Sequence, residues 1–313
     1  MRLPLKNKIP ACRTDGPACP AGAGRRRCRP LLGTFVEITA THSNIKGTQR
    51  ALGAAFGAIE RVERLMSFHH CKSEVSKLNR LAARRPVRIS PETFYVLKAA
   101  KKLYNRSCGV FDITIARQLV RWRLLPRHSF FSHRENGANT GDILLLPGNR
   151  VFFSRPLQID LGGIAKGFAV DCAIAAMKKN GATGGLVNAG GDIRCFGKKK
   201  YALCLRHPTV PGAFLRFPPL CRAAFATSAN SYQERKRRVG RVVCAHVDGR
   251  TRQPLLRPYS VSVRAPSCLL ADALTKIVLA LEEKAAALLS ELNAEAFIVR
   301  SGKSGAFYEG RAK

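Results

Sequence analysis

The chain has 313 residues, 46% of them hydrophobic, enough to bury a full core in one large domain or two smaller ones. Its 54 Lys and Arg against 20 Asp and Glu leave a net charge of +34, a field that attracts nucleic acid, anionic lipid or phosphorylated small molecules. No segment approaches the ~18 apolar residues of a membrane helix. The 11 cysteines include no C-x-x-C pair, which weakens zinc-ribbon readings, and the arginines are scattered rather than clustered, so the charge does not by itself identify a nucleic-acid binder.

Residues 1–30, rich in Pro, Gly and Arg, read as a disordered basic extension, with the folded domain over 31–313. They hold no apolar run long enough for a signal peptide, and with unpaired cysteines this makes a reducing, cytoplasmic compartment the expectation. Gly33 to Ala40 reads as the first strand. Residues 49–66 place Leu52, Phe56, Ile59, Val62 and Met66 on one helical face. A short helix follows Ser73, a candidate N-cap. Another helix over 91–105 is entered through Ser90-Pro91, with proline at the first helical position. Next comes Gly109-Val-Phe-Asp-Ile-Thr114, at the head of an apolar run holding the single Trp122. Residues 126–141 are loop-like, and 142–156 read as a hairpin around Pro147-Gly148.

Residues 157–192 carry a chemical residue at each junction. Leu157, Ile159 and Leu161 alternate with polar positions, as in a half-buried strand, with Asp160 on the opposite face. Gly162 and Gly163 break that strand. Ile164, Phe168, Cys172 and Ala175/Ala176 recur at helical spacing, and Gly181 marks the stop. Leu186 and Val187 restart a strand that ends in Asn188-Ala-Gly-Gly-Asp192. A helix tip behind a glycine pair offers free N–H groups and a positive dipole end, an anion site to which Lys166 adds a cation. Neither a Walker loop nor a G-x-G-x-x-G fingerprint is present.

Downstream, 198–221 reads as strands and turns, Arg235 to Arg238 as a basic hairpin loop, and Val242 to Asp248 and 260–264 as strands. Leu269 to Glu283 is an apolar helix, and 295–300 the closing strand. Mixed helices and strands with antiparallel neighbours fit an α+β fold better than a doubly wound sheet. The apolar helix sets Asp272, Thr275 and Lys276 on one face. An acid and a hydroxyl there suit Mg²⁺. They equally suit a cap and a side chain bonded back to a carbonyl. His246 at a strand end is a candidate proton carrier.

Together these pieces resemble the ApbE family of FAD:protein FMN transferases, from about Leu31 to Leu281. The likeness rests on ordered blocks: Leu32-Gly-Thr-Phe35; Met66-Ser67 with Ser73-Glu74 and Leu78-Asn79; Gly109 to Thr114; Asp160 to Gly167 through Asn188 to Asp192; and Ala271 to Thr275, preceded by Ala226-Thr-Ser228 and Asp248-Gly-Arg-Thr251. The resemblance implies an ApbE-like mixed α/β roll with largely antiparallel sheets and packed helices. It implies binding of FAD and, with Mg²⁺, transfer of its FMN part to a Thr or Ser hydroxyl of an acceptor flavoprotein, releasing AMP. Leu32, His69, Val110, Phe111, Asp112, Asp160 and Lys166 would then meet FAD. Oxygens of Gly163, Asp272 and Thr275 would hold the Mg²⁺. No nucleic acid is expected as a partner.

Three positions depart from the family pattern. Leu32 stands where many relatives have Met. Thr275-Lys276 stands where many have Ser-Thr, and a charged lysine cannot ligate a metal. Ala245 stands where the family's His-x-x-Asp places its histidine, one residue before His246. An FAD-binding or FAD-hydrolysing relative without transfer to protein is the alternative reading, followed by a basic nucleic-acid-binding protein, which only the +34 charge motivates.

Overall fold

The computed structural model describes residues 24–128, 137–208, 213–229, 235–236, 242–300 and 306–308. The chain opens with a hairpin of β1 (Arg25–Leu31) and β2 (Thr34–Thr41), joined by Leu32 and Gly33 in left-handed conformation, φ 56° and 69°. Two positive-φ residues are what a two-residue hairpin of this hand needs. Of the expected disordered extension, residues 1–23 lie outside the described residues, whereas 25–30 are strand. Their composition misleads because β1 is an edge strand. Its arginines stay exposed, and Pro30 loses no ladder partner there.

Next come α1 (Ile45–Met66), α2 (Glu74–Leu81), β3 (Val87–Arg88), α3 (Pro91–Arg106), α4 (Ala116–Arg121), β4 (Ile143–Leu146) and β5 (Arg150–Phe153). The first helix starts four residues before the apolar periodicity does, because Asn44 caps it by accepting the Gly47 N–H at 2.7 Å. Ser73 and Ser90 cap α2 and α3 as expected. The hairpin of β4 and β5 turns at Pro147-Gly148-Asn149.

Residues 157–161 correct the expectation of a strand. Leu157, Ile159 and Leu161 are buried as the alternation requires, but the segment joins no sheet. Its peptide groups are taken up elsewhere. The Asn79 amide clasps Ile159, accepting its N–H at 2.7 Å and donating to its carbonyl at 2.9 Å, and the Asp160 N–H donates to Ile113 O at 2.8 Å.

The helix α5 (Ala165–Lys179) is buried along Ala165, Ala169, Val170, Ala173, Ile174 and Met177. This also shifts the expected face: Cys172 is half-buried and Ala175 exposed. Three strands and a hairpin follow: β6 (Gly184–Ala189), β7 (Asp192–Phe196), β8 (Tyr201–Arg206) with β9 (Phe214–Leu220), and β10 (Ala224–Ala229). Then come β11 (Arg235–Lys236), β12 (Val242–Val243), β13 (Tyr259–Ala265), α6 (Cys268–Leu281), α7 (Ala286–Glu291), β14 (Glu295–Arg300) and β15 (Ala306–Tyr308). The strand expected over Val242 to Asp248 stops at Val243. Beyond it the chain folds back on itself, with Leu255 N–H donating to His246 O and Asp248 N–H to Gln253 O.

The main sheet is antiparallel throughout, in the order β1-β2-β6-β7-β10-β13-β14-β15. Helices α1, α5 and α6 pack on one another and cover one face. The β8–β9 hairpin covers part of the other. Period-two alternation decides which side chain goes where. In β10, Ala224 and Ala226 face the helices, and Phe225 faces Leu203, Leu205 and Leu220 of the hairpin. The fold is the α+β arrangement the sequence suggests. Among the described residues no helix is long and apolar enough to cross a membrane.

Candidate active site

The turn Leu161-Gly162-Gly163-Ile164 carries the chain into α5, and Leu161 O receives the N–H groups of Ile164 and Ala165. The N-cap residue Ile164 offers no side-chain cap; the Gly167 N–H is taken by Asp272 of α6 instead, and the positive end of the helix dipole faces the turn. Asp160 folds back over the turn, one carboxylate oxygen 3.0 Å from where a Gly162 Cβ would be and near the backbone N–H groups of Gly162 and Leu161. Burial raises its pKa, and those N–H groups and His69 oppose the rise.

Beneath the turn lies a cluster of two carboxylates and two ammonium groups. Asp192, 1% exposed, sits 2.6 Å from the Lys166 Nζ. Asp272 is fully buried. It accepts the Gly167 N–H at 3.0 Å on one carboxylate oxygen and the Lys276 ammonium on the other. Burial pushes the Asp192 pKa up, to about 6, helped by repulsion from Asp272 and opposed by both lysines. Burial also opposes the charge on Lys166, but Asp192 and Asp272 overcome it and hold Lys166 protonated. Asp272 is held ionised against burial chiefly by Lys276 and then by Lys166. The close seating of α6 on α5 depends on Gly167, since a Cβ there would lie 2.2 Å from the Cys268 carbonyl oxygen and 2.8 Å from the Asp272 Cβ.

Above this floor opens a cavity of about 600 Å³. One wall is Val110, Phe111 and Asp112. Another is Leu32 at the hairpin tip, with His69. Asp160, Gly163 and Lys166 form the base beside Lys276, and Ala245 and His246 close the far side. A Cβ on Gly163 would lie 3.7 Å from the Phe111 ring and 3.8 Å from the Lys276 Cε, so the glycine turn runs between an aromatic face and a cation. A larger hollow of about 830 Å³, lined by Trp122 to Arg127, adjoins this one through His69, Leu124 and Leu125. It carries none of the carboxylates.

Thus the expected flavin-contact residues gather around one space, but Asp112 has a different task from the one expected. One of its oxygens accepts from Thr114 N–H, Thr114 Oγ1 and Thr140 Oγ1 at 2.7–2.8 Å, and the other from Arg252 at 2.9 Å. Its carboxylate ties the Phe111 wall to the 250–252 turn and has little left for a ligand. Arg252 and Asn79 are positioning residues whose work sequence reasoning did not identify. Asn79 had its signal in the Leu78-Asn79 block, whereas Arg252 follows the Asp248-Gly-Arg-Thr251 block and carried no signal of its own.

His246 is 7% exposed, and burial, followed by repulsion from Lys276, holds its pKa down at about 3. It is therefore neutral across the physiological range.

Two of the three oxygen sources expected for Mg²⁺, Asp272 and Thr275, do not fit that ion as they stand. The Thr275 hydroxyl is fully buried, donates to Asp272 O at 2.6 Å and pairs with Ser228 Oγ at 2.8 Å. Both Asp272 carboxylate oxygens are engaged, one of them by an ammonium group. Mg²⁺ needs near-octahedral oxygens at about 2.0–2.1 Å, and a cation already occupies the carboxylate edge that would meet it. Among the described residues there is also no cluster of three His, Cys, Asp or Glu able to hold a metal.

Comparison with known proteins agrees with this geometry. The solved ApbE protein from Thermotoga maritima superposes with a TM-score of 0.79 over 92% of this chain and 97% of its own, at 24% identity, which establishes the shared fold. Two curated relatives carry the name FAD:protein FMN transferase. One, from Chlamydia pneumoniae, is 30% identical across 68% of this chain and 70% of its own. Another, from Vibrio cholerae, is 26% identical across 75% and 74%. The family model described as "ApbE family" matches residues 32–298, and the chain belongs to that family.

Proposed function

We propose that this protein transfers the FMN part of FAD to a hydroxyl group of a protein acceptor and releases AMP. One observation carries the reading. A glycine-lined helix tip, two lysines and the Phe111 face converge on a single cavity, and that combination suits an aromatic ligand with a charged pyrophosphate. The names of the curated relatives point the same way.

In the reaction, a threonine or serine oxygen of the acceptor attacks the phosphorus that remains with FMN. The bond from that phosphorus to the bridging oxygen breaks, and AMP leaves with the oxygen and its electron pair. The hydroxyl proton passes to a base. Lys166 and Lys276, beside the turn, neutralise charge gathering on the leaving phosphate, and the α5 tip orients it. Mg²⁺, where a relative uses it, would supply the same charge neutralisation.

His246 is the proton acceptor offered by the far wall. Burial and Lys276 make it a weak base in the free protein. A pyrophosphate lying on Lys276 offsets that repulsion, so the imidazole gains basicity once the dinucleotide is bound.

The test is to incubate the protein with FAD and a flavoprotein domain bearing an acceptor threonine. Covalent flavin fluorescence on the acceptor, matched by AMP, is expected. FAD bound tightly with neither product formed would refute the transfer reading. Ala245, an exposed residue of the cavity lining beside His246, leaves no proton acceptor where the family pattern has one. That favours, as the second reading, hydrolysis of FAD to FMN and AMP by water, which the same assay detects as AMP without labelled acceptor.

A further inference from the structure

We infer that the ammonium group of Lys276 is the resident cation of this site, so that the protein grips the FAD pyrophosphate without a divalent metal. The inference rests on the flavin reading above and adds to it the source of positive charge.

Lys276 is held from both ends. Its Nζ donates to two oxygens of Asp272, the main-chain carbonyl at 2.9 Å and one carboxylate oxygen. Its Cε lies against the glycine turn, 3.8 Å from where a Gly163 Cβ would be. The side chain is 19% exposed, and that exposed part lines the cavity. An i, i+4 pair on one helix face has little freedom to drift. The cation is therefore fixed between the buried carboxylate and the glycine turn, at the edge of the cavity.

The neighbouring oxygens are arranged for a lysine rather than a metal. Thr275 is fully buried and spends its hydroxyl on Ser228 and Asp272 O. The second carboxylate oxygen of Asp272 takes the Gly167 N–H. Asp192 does for Lys166 what Asp272 does for Lys276, so two carboxylates each seat one ammonium group. A divalent ion on Asp272 would have to displace Lys276 and leave that ammonium group facing it.

The test measures FAD binding by flavin fluorescence, in chelator and in excess Mg²⁺, alongside direct Mg²⁺ calorimetry. Wild type should bind FAD with the same affinity in both conditions and show no Mg²⁺ heat. Lys276→Met should lose about tenfold or more in chelator, the size of one charge-assisted contact. Lys276→Arg should keep chelator-resistant binding. Lys276→Thr should lose affinity in chelator and regain it with Mg²⁺. Because Lys276→Met leaves Asp272 buried and unpaired, the double variant Asp272→Asn/Lys276→Met serves if the single one does not fold, with the same loss expected. Wild-type FAD binding that requires Mg²⁺, or chelator-resistant binding that survives removal of Lys276, overturns the inference while leaving the flavin reading intact. No FAD binding in either condition overturns both.

Discussion

Replacing Gly167 by alanine tests the geometry on which the site stands. The added Cβ would meet the Cys268 carbonyl oxygen at 2.2 Å, its carbon at 2.6 Å and the Asp272 Cβ at 2.8 Å. Carbon–oxygen contacts settle at about 3.3–3.6 Å, and the obstacle is backbone rather than a side-chain end that can swing away. Helices α5 and α6 must therefore part by roughly 1 Å. Overpacking of this kind costs up to about 3 kcal/mol. Weakening the 3.0 Å bond from Gly167 N–H to the Asp272 carboxylate adds about 1–2 kcal/mol. Alanine returns about 1 kcal/mol of helix propensity. The net is about 3 kcal/mol, or roughly 5 °C in Tm for a chain of this size. Lys276 moves with Asp272, so FAD affinity falls as well, by about tenfold to a hundredfold. Thermal melts and flavin-fluorescence titrations read both quantities. A variant melting within about 1 °C of wild type, with unchanged FAD affinity, would refute the claim that this contact sets the spacing of the two helices.

Three further outcomes follow from the same contacts. Asn79→Ala orphans both peptide groups of Ile159 beneath the glycine turn. It should cost about 2–3 kcal/mol in denaturant unfolding and loosen FAD binding, and unchanged hydrogen exchange at residues 157–163 would count against it. Asp171 accepts the N–H groups of Cys268 and Leu269 at 2.9 and 3.0 Å and pairs with Arg194. Asp171→Ala should lower stability by about 1–2 kcal/mol, and a melt equal to wild type would disprove the cap. His246 has a folded pKa of about 3, below its ordinary 6.5. A depressed pKa contributes stability that is fully present above 6.5 and is lost as pH falls toward 3, by up to about 1.4 kcal/mol per pH unit. His246→Gln should flatten the melt-versus-pH curve in that window, and an unaltered slope would show that another group titrates there.

Helices announced themselves in the sequence because their periodicity and caps are local. Ser73 and Ser90 cap where a serine precedes an apolar repeat, and the α6 helix is apolar enough to be read directly. The misread stretches are those whose backbone partners lie far along the chain. Leu157 to Leu161 alternates like a strand, yet its hydrogen bonds go to Asn79 and Ile113, 80 and 47 positions away from Ile159 and Asp160. Arg25 to Pro30 looks disordered by composition, and becomes a strand because Leu32 and Gly33 turn it back onto β2. At the site, residue types and order indicated which side chains would meet. Which of them would face one another was not legible. Thr275 and Lys276 are neighbours in sequence, and only the rotation of α6 decides that the hydroxyl points to Ser228 and the ammonium group to the cavity.

Pairing with a lysine accounts for the two buried carboxylates. A carboxylate with negligible exposure is costly to keep charged unless it is paired. Asp192 and Asp272 each gain a lysine, and each lysine gains a fixed place at the edge of the cavity rather than a swing through solvent. Cations held this way reorganise little when a doubly charged ligand arrives, which is the condition under which electrostatic stabilisation acts most strongly. The +34 field of the whole chain draws anions from a distance but is screened within about 10 Å at ordinary salt. Discrimination must then come from the two lysines that are oriented. If so, raising salt slows the capture of FAD well before it weakens the bound complex, and association and dissociation rates measured across a salt series separate the long-range field from the paired floor.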